Sequence, residues 1–349
     1  MLVYDKTNIL ILRKKNFMSY ILAIESSCDD TSAAVLRDEK ILSNIIITQK
    51  EHEQYGGVIP EMASRQHYSN IDSAVDKALK VAGIDKSEIA AIAVTQGPGL
   101  LGSLLVGVSF AKGLSLVLDV PLIGVHHMHG HILAHFIDEP KPRFPFLCLT
   151  VSGGHTQLVK VLSPLQMEIL GQTIDDAAGE AFDKVGKLLG LPYPAGPIID
   201  QLAKEGKPLF DFAIANVADF NFSFSGFKTS VLYFLQKEVA KNPNFITENL
   251  KDLCASVQHI IVKTLEIKLI KLIKQTNIKE VAIAGGVAAN SGLRGRLQEL
   301  SKLHDFNLYI PDLQYCTDNA AMIGMAGYFK YKAGIFESHE MTPDPRLVF

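Results

Sequence analysis

Residues 20–48 alternate short apolar runs with polar turns: 21–24, then Glu25 to Ser32, then 33–36, then 41–48. Runs of four to eight apolar residues bounded by turn formers predict three successive strands. A loop around Gly56, Gly57 and Pro60 leads into a predicted helix of about 22 residues, with Met62, Ile71, Val75, Ala78 and Leu79 at roughly helical period. Residues 89–95 predict a buried strand that ends in Gly97-Pro98-Gly99. Residues 101–118 predict a helix apolar on nearly every side, which belongs to a core or to an interface. A further strand follows at 120–125.

The second half repeats this rhythm. Residues 144–152 predict a strand running into the turn Ser152-Gly153-Gly154-His155, and 156–161 predict its partner. Two such hairpins, each followed by αβ elements, predict a duplicated α/β chain of two lobes with a cleft between them. The expected division is 18–135 and 136–349, with an irregular insertion at about 174–245. That insertion holds an acidic helix with Asp175, Asp176, Glu180 and Asp183, a Gly-Pro loop at 192–197, and Phe222-Ser223-Phe224-Ser225-Gly226. Regular pattern returns with a helix at 250–274, a strand at 280–284, the turn Gly285-Gly286 into a helix, a strand at 307–310, and a last helix at 317–332.

Composition narrows the class. The chain has 349 residues, 48% hydrophobic and 20% charged, enough for two cored domains and against global disorder. A net charge of −3 gives no overall pull on nucleic acid, so any such binding uses local clusters. Cys28, Cys148, Cys254 and Cys316 are scattered and form no C-x-x-C pair, which fits reduced thiols in the cytoplasm. No apolar run approaches the roughly 20 residues expected of a membrane span. Residues 1–17 place an apolar run before Arg13-Lys14-Lys15, the reverse of a secretory signal, and are expected to lie outside the fold as an N-terminal extension.

Chemistry concentrates after the strand at 120–125, where His126, His127, His129 and His131 fall within six residues. On a helix His127 and His131 share one face, about 5–6 Å apart at Cβ, close enough to share a metal ion. The alternative is a solvated or core-capping histidine cluster, because the glutamate of H-E-x-x-H is missing. Three glycine or hydroxyl turns follow strands, at residues 25–31, 152–155 and 285–286. Turns of this kind let a nucleotide phosphate approach the backbone. Asp183 and Asp200 are candidates to accept hydrogen bonds from ribose hydroxyls, or else belong to solvated helix faces.

These motifs carry a resemblance. Glu25-Ser26-Ser27-Cys28-Asp29-Asp30-Thr31, Gly57-Val58-Ile59-Pro60-Glu61, Gly97-Pro98-Gly99-Leu100, His126-His127-Met128, Val151-Ser152-Gly153-Gly154-His155-Thr156, Ile174 to Lys184, Phe222 to Gly226, Gly285 to Asn290 and Asp318-Asn319-Ala320-Ala321-Met322 occur in this order. From about Met18 to the C-terminus the chain resembles the bacterial TsaD family, the tRNA N6-adenosine threonylcarbamoyltransferases once taken for O-sialoglycoprotein endopeptidases. The resemblance implies the actin-like ATPase, sugar kinase and Hsp70 (ASKHA) fold. It implies one divalent metal, iron(II) before zinc(II), on His127, His131 and Asp318, with Glu25 as a catalytic residue. His129 and His135 match no ligand of that family. The implied substrate is threonylcarbamoyl-AMP, held by Thr150, Val151, Ser152, Gly153, Gly154, Asp183, Gly196, Asp200 and Asn290. The acceptor is the exocyclic amine of the adenosine just 3′ of the anticodon, in tRNAs that read ANN codons. The implied partners are a small paralogous TsaB-type subunit, packed on the helix after Pro60 and that at 101–118, and a TsaE-type ATPase, with no membrane.

Three rival readings have their own signals. A metalloprotease needs a general base between His127 and His131, and none is there. A small-molecule kinase or ATPase of the same fold opens with an Asp-x-Gly-Thr phosphate loop, from which Glu25-Ser26-Ser27 departs. A non-catalytic paralogue lacks the histidine pair and the second-lobe motifs. For tRNA, the candidate phosphate contacts are Lys228, Arg294, Arg296 and Arg65, each of which is otherwise a solvated surface residue.

Overall fold

A computed structural model describes residues 19–349; the expected extension at 1–17 lies outside the described residues. Strands β1 (Tyr20–Glu25), β2 (Asp30–Arg37) and β3 (Lys40–Thr48) form an antiparallel meander. Helix α1 (Pro60–Ala82), β4 (Ile89–Gly97), α2 (Leu101–Leu118) and β5 (Leu122–His126) follow, and β4 and β5 join β1 in parallel. The sheet order is β3-β2-β1-β4-β5.

The second sheet is the same figure again. Strands β6 (Phe146–Val151), β7 (Thr156–Ser163) and β8 (Gln166–Gln172) form the meander, and β9 (Glu280–Ala284) and β10 (Asn307–Tyr309) add in parallel, giving β10-β9-β6-β7-β8. Read from β3 in the first sheet and from β8 in the second, the two orders are identical, and the duplication inferred from the hairpins is a property of the fold.

Alternation along β1 sorts its side chains between two cores. Leu22 and Ile24 face α1 and α2, where they meet Ile71, Val75 and Val108. Ile21 and Ala23 face the opposite way onto α9 (Ala320–Lys332), among Met322, Ile323 and Met325. The first sheet is therefore covered by α1 and α2 on one face and, on the other, by a helix from the far end of the chain. A linear division at residue 135 does not follow this packing, since α9 belongs to the first lobe's core. The exchange is mutual: α3 (His127–Leu133) leaves β5 and packs Ile132 against Phe146 and Cys148 of the second sheet. Helices α3 and α9 thus cross between the lobes. They approach so closely that a Cβ on Gly130 would stand 2.9 Å from Ile323 Cδ1.

The stretch at 174–245 is more regular than its pattern suggests. It contains α4 (Ala178–Leu188), α5 (Ala195–Ala203) and α6 (Ser225–Val239), which pack on α7 (Phe245–Thr276). Helix α8 (Ser291–His304) links β9 to β10. Helix α2 alone among the described helices has the length and composition of a membrane span, yet it lies on α1 and the sheet through Leu104, Gly107, Val108 and Ala111. Its other side is open, with Leu116 62% and Val117 81% exposed, and nearer its start Leu105 lies by Tyr68 of α1, itself 79% exposed. It is a half-covered helix and not a central one.

Candidate active site in the interlobe cleft

The two crossing helices begin at the same place. Helix α3 starts at the carboxyl end of β5, so His127 and His131 stand one turn apart with ring centroids 4.8 Å apart. Helix α9 is capped by Asn319, whose Oδ1 accepts from Met322 N at 3.0 Å. That cap leaves the preceding Asp318 free of capping duty, and its Oδ1 lies 3.2 Å from His131 Nε2 and 3.4 Å from His127 Nε2. One ligand atom from each of the three residues lies within 4.8 Å of the others.

Behind His127 stands Glu25, fully buried at the end of β1. Its Oε2 lies 3.0 Å from His127 Nδ1 and accepts from Thr95 Oγ1 at 2.7 Å, while Oε1 accepts from Ser27 N. Ser27 Oγ is also 3.2 Å from the same Nδ1. Glu25, expected as a catalytic residue, therefore reaches the site through His127. Burial disfavours an imidazolium at His127, but Asp318 and Glu25 prevail and raise its pKa well above 6.5. Burial likewise opposes charge on Asp318, and the His127 imidazole overcomes it, holding the carboxyl well below its ordinary range.

These residues fit a cation. A fully buried carboxylate, Glu25, and a partly buried one, Asp318, need a positive partner, and the Nε2 atoms of His127 and His131 both face Asp318 Oδ1. Two imidazoles and one carboxylate make a three-ligand set that leaves positions open for a reactant. The neighbouring histidines face elsewhere. His126 Nδ1 accepts from Met128 N at 3.2 Å, and its Nε2 lies 3.2 Å from Leu347 O. His129 stacks on His126 at 4.7 Å, and His135 Nε2 pairs with Ile283 O at 2.8 Å.

A cavity of about 370 Å³ opens beside the triad in the second lobe. Of the expected substrate residues, Gly153, Asp183, Gly196, Asp200 and Asn290 line it. Gly153 and Gly286 have open space where a Cβ would stand, so a ligand can reach the backbone there. Gly285 turns the chain at φ 89°, with Val151 O 2.5 Å from where its Cβ would be. Asp183 Oδ1 accepts from Ala195 N at 2.8 Å, and burial raises its pKa. Asp200 Oδ1 accepts from Ser291 Oγ at 2.7 Å. Thr150 and Val151 are instead fully buried in β6, and Ser152 closes its own turn by donating its N–H to His155 O at 2.8 Å; these residues and Gly154 do not line the cavity. Sequence reasoning missed Phe182, Tyr193, Val287 and Thr317 on its walls. The Gly-Pro loop and the Gly-Gly turn beside them were the available signal. Thr317 lines the cavity and Asp318 completes the triad, so the two are contiguous.

The basic residues expected at RNA are mostly engaged. Arg294 donates to Ala288 O at 2.6 Å and Pro311 O at 2.9 Å. Arg296 pairs with Glu266 and Glu299, and Arg65 with Glu61.

Duplicated five-stranded sheets, crossing helices and a cleft cavity define the two-lobed actin-like, sugar-kinase class. Full-length HypF, solved with phosphate and nucleotide, matches at a TM-score of 0.62 and 15% identity, over 93% of this chain and 48% of that one. The ROK hexokinase of Thermus thermophilus matches at a TM-score of 0.50 and 14% identity, over 90% and 100%. Both show the fold alone. The family model of TsaD, tRNA N6-adenosine threonylcarbamoyltransferase, matches residues 40–325. The enzyme of that name from Christiangramia forsetii is 58% identical over 333 residues, 94% of this chain and 98% of its own length. The chain belongs to the TsaD family.

Proposed function

We propose that this chain transfers a threonylcarbamoyl group from threonylcarbamoyl-AMP to the N6 amine of a tRNA adenosine, releasing AMP. The observation that carries the reading is the junction of the cavity with the triad at Thr317 and Asp318. An adenylate seated in the cavity directs its acyl end at His127, His131 and Asp318. Asp183 and Asp200 accept hydrogen bonds from the ribose diol, and Phe182, Pro194 and Val287 offer apolar walls to the base. The glycines at 153 and 286 let the phosphate lie against the backbone. A divalent cation on the triad, iron(II) or zinc(II), supplies Lewis-acid polarisation of the carbamoyl carbonyl. Glu25 holds the His127 ring so that Nε2 faces the acyl end. The acceptor adenosine lies 3′ of the anticodon, where an unpaired base can be splayed into a pocket.

The metalloprotease reading lacks a base: Glu25 is fully buried behind His127 and presents no oxygen to an attacking water. The open face of α1 and α2, with Tyr68, Leu105, Leu116 and Val117 exposed, suits the small TsaB-type subunit, and a TsaE-type ATPase joins that assembly in the cytoplasm. The test is a reaction of the assembled protein with threonylcarbamoyl-AMP and unmodified tRNA, followed by nucleoside mass analysis. Formation of threonylcarbamoyladenosine supports the reading; adenylate hydrolysis without tRNA product contradicts it.

A further inference from the structure

Helix α6 carries a face that the cleft chemistry does not use. Its exposed stripe runs Ser225, Thr229, Tyr233, Gln236, Lys237, spaced at three and four residues and so aligned along one side. Tyr233 is 65% exposed, a large ring with its face available. Lys237, and Lys228 at the edge of the stripe, form no ion pair among the described residues. Within the helix the single acidic side chain, Glu238, is already paired with Lys241 at 2.7 Å. The stripe is therefore hydroxyl, amide, aromatic and cationic, with no free carboxylate of its own.

Its position is fixed relative to the cleft. The Asp175 carboxylate accepts from Phe224 N at 2.8 Å and from Ser225 Oγ at 2.7 Å, clasping the start of α6. Four residues further on, Gly179 N donates to Ser152 O at 3.2 Å, at the turn that borders the adenylate cavity. Helix α6 thus starts against the segment that leads to the cavity-lining turn, and it is 15 residues, about 22 Å, long.

We infer that this face of α6 is an RNA-contacting surface, on which Tyr233 stacks against an unpaired base while Lys228 and Lys237 take backbone phosphates. The inference rests on the tRNA reading above and names the surface for it. The partner follows from charge and chemistry. Arg294 and Arg296 are held by bonds within the protein and Arg65 pairs with Glu61 at the surface, whereas Lys228 and Lys237 on this stripe stay open to a polyanion. Single-stranded RNA is recognised by aromatic stacking together with phosphate contacts, the pairing offered here.

The experiment uses the full chain with its partner subunits and an unmodified tRNA transcript. Affinity is measured by fluorescence anisotropy over a range of salt, for wild type, Tyr233→Phe, Tyr233→Ala and the pair Lys228→Glu, Lys237→Glu. Stacking predicts a loss of roughly 5- to 100-fold for Tyr233→Ala with near-wild-type affinity for Tyr233→Phe. Each lysine that neutralises a phosphate contributes about 0.7 to the log–log salt slope, so the charge-reversed pair lowers it by at least that much. Binding of AMP in the cleft stays unchanged. If wild type binds tRNA and all variants bind equally well, the surface lies elsewhere. Variants that shed a partner subunit at unchanged tRNA affinity make this face a protein interface and overturn the inference. A wild-type assembly without tRNA affinity overturns the tRNA reading itself along with it.

Discussion

Glu25 Oε2 lies 3.0 Å from His127 Nδ1, although 102 residues separate the two in sequence. A carboxylate there makes Nδ1 the protonated nitrogen and leaves Nε2 as the ligand atom facing Asp318. Replacing Glu25 by Gln keeps the volume but removes the charge, and predicts a 10- to 100-fold loss of metal affinity. Metal titration of the purified variant, with circular dichroism as a check on folding, measures it. Wild-type affinity in Glu25→Gln contradicts the role.

Asp183 and Asp200 carry the ribose in this account. Asp183→Asn and Asp200→Asn each predict about 5- to 10-fold weaker AMP binding, because a charged acceptor becomes a neutral one, a difference of about 1–1.5 kcal/mol. Calorimetric titration with AMP reads it directly. Because both residues lie away from the triad, metal content is expected to stay at the wild-type level.

Acid stability follows from buried imidazoles. Burial pushes His135 down to about 4 and His126 down to about 3. The unfolded chain protonates these groups near pH 6.5, while the native state keeps them neutral. Between about pH 6.5 and 4 the unfolded state therefore binds more protons, and stability falls as pH falls. Each such group contributes a slope approaching about 1.4 kcal/mol per pH unit. His135→Gln, which can still donate to Ile283 O, is expected to flatten the slope by one proton in melts at pH 7 and pH 5. An unchanged slope removes His135 from the explanation.

Much of this architecture is legible in the sequence because burial is two-sided. Strands such as β1 and β6 are covered on both faces, so they read as plain apolar runs. Strand β8 does not: it is an edge strand with exposed and half-buried positions, and no apolar run announces it. Helix α5 is short and follows a Gly-Pro loop, which hides its period, while the expected acidic helix is α4, with Asp175 and Asp176 lying just before its start. At the site, the spacing of His127 and His131 shows on the page because a helix places both on one face. Asp318 does not: its role depends on Asn319 taking the cap, a choice between adjacent residues that tertiary packing makes. The same packing engages Arg294 and Arg296, which as residue types look available for phosphate.

The triad is the centre of the account, and the most direct measurement is modified-nucleoside formation by Asp318→Ala in the assembled complex. The account predicts metal bound at or below a tenth of the wild-type content, AMP affinity within about twofold of wild type, and no detectable threonylcarbamoyladenosine in tRNA. Circular dichroism matching wild type confirms that the fold has not been lost. Modification at the wild-type rate by a folded, metal-depleted Asp318→Ala protein would contradict it.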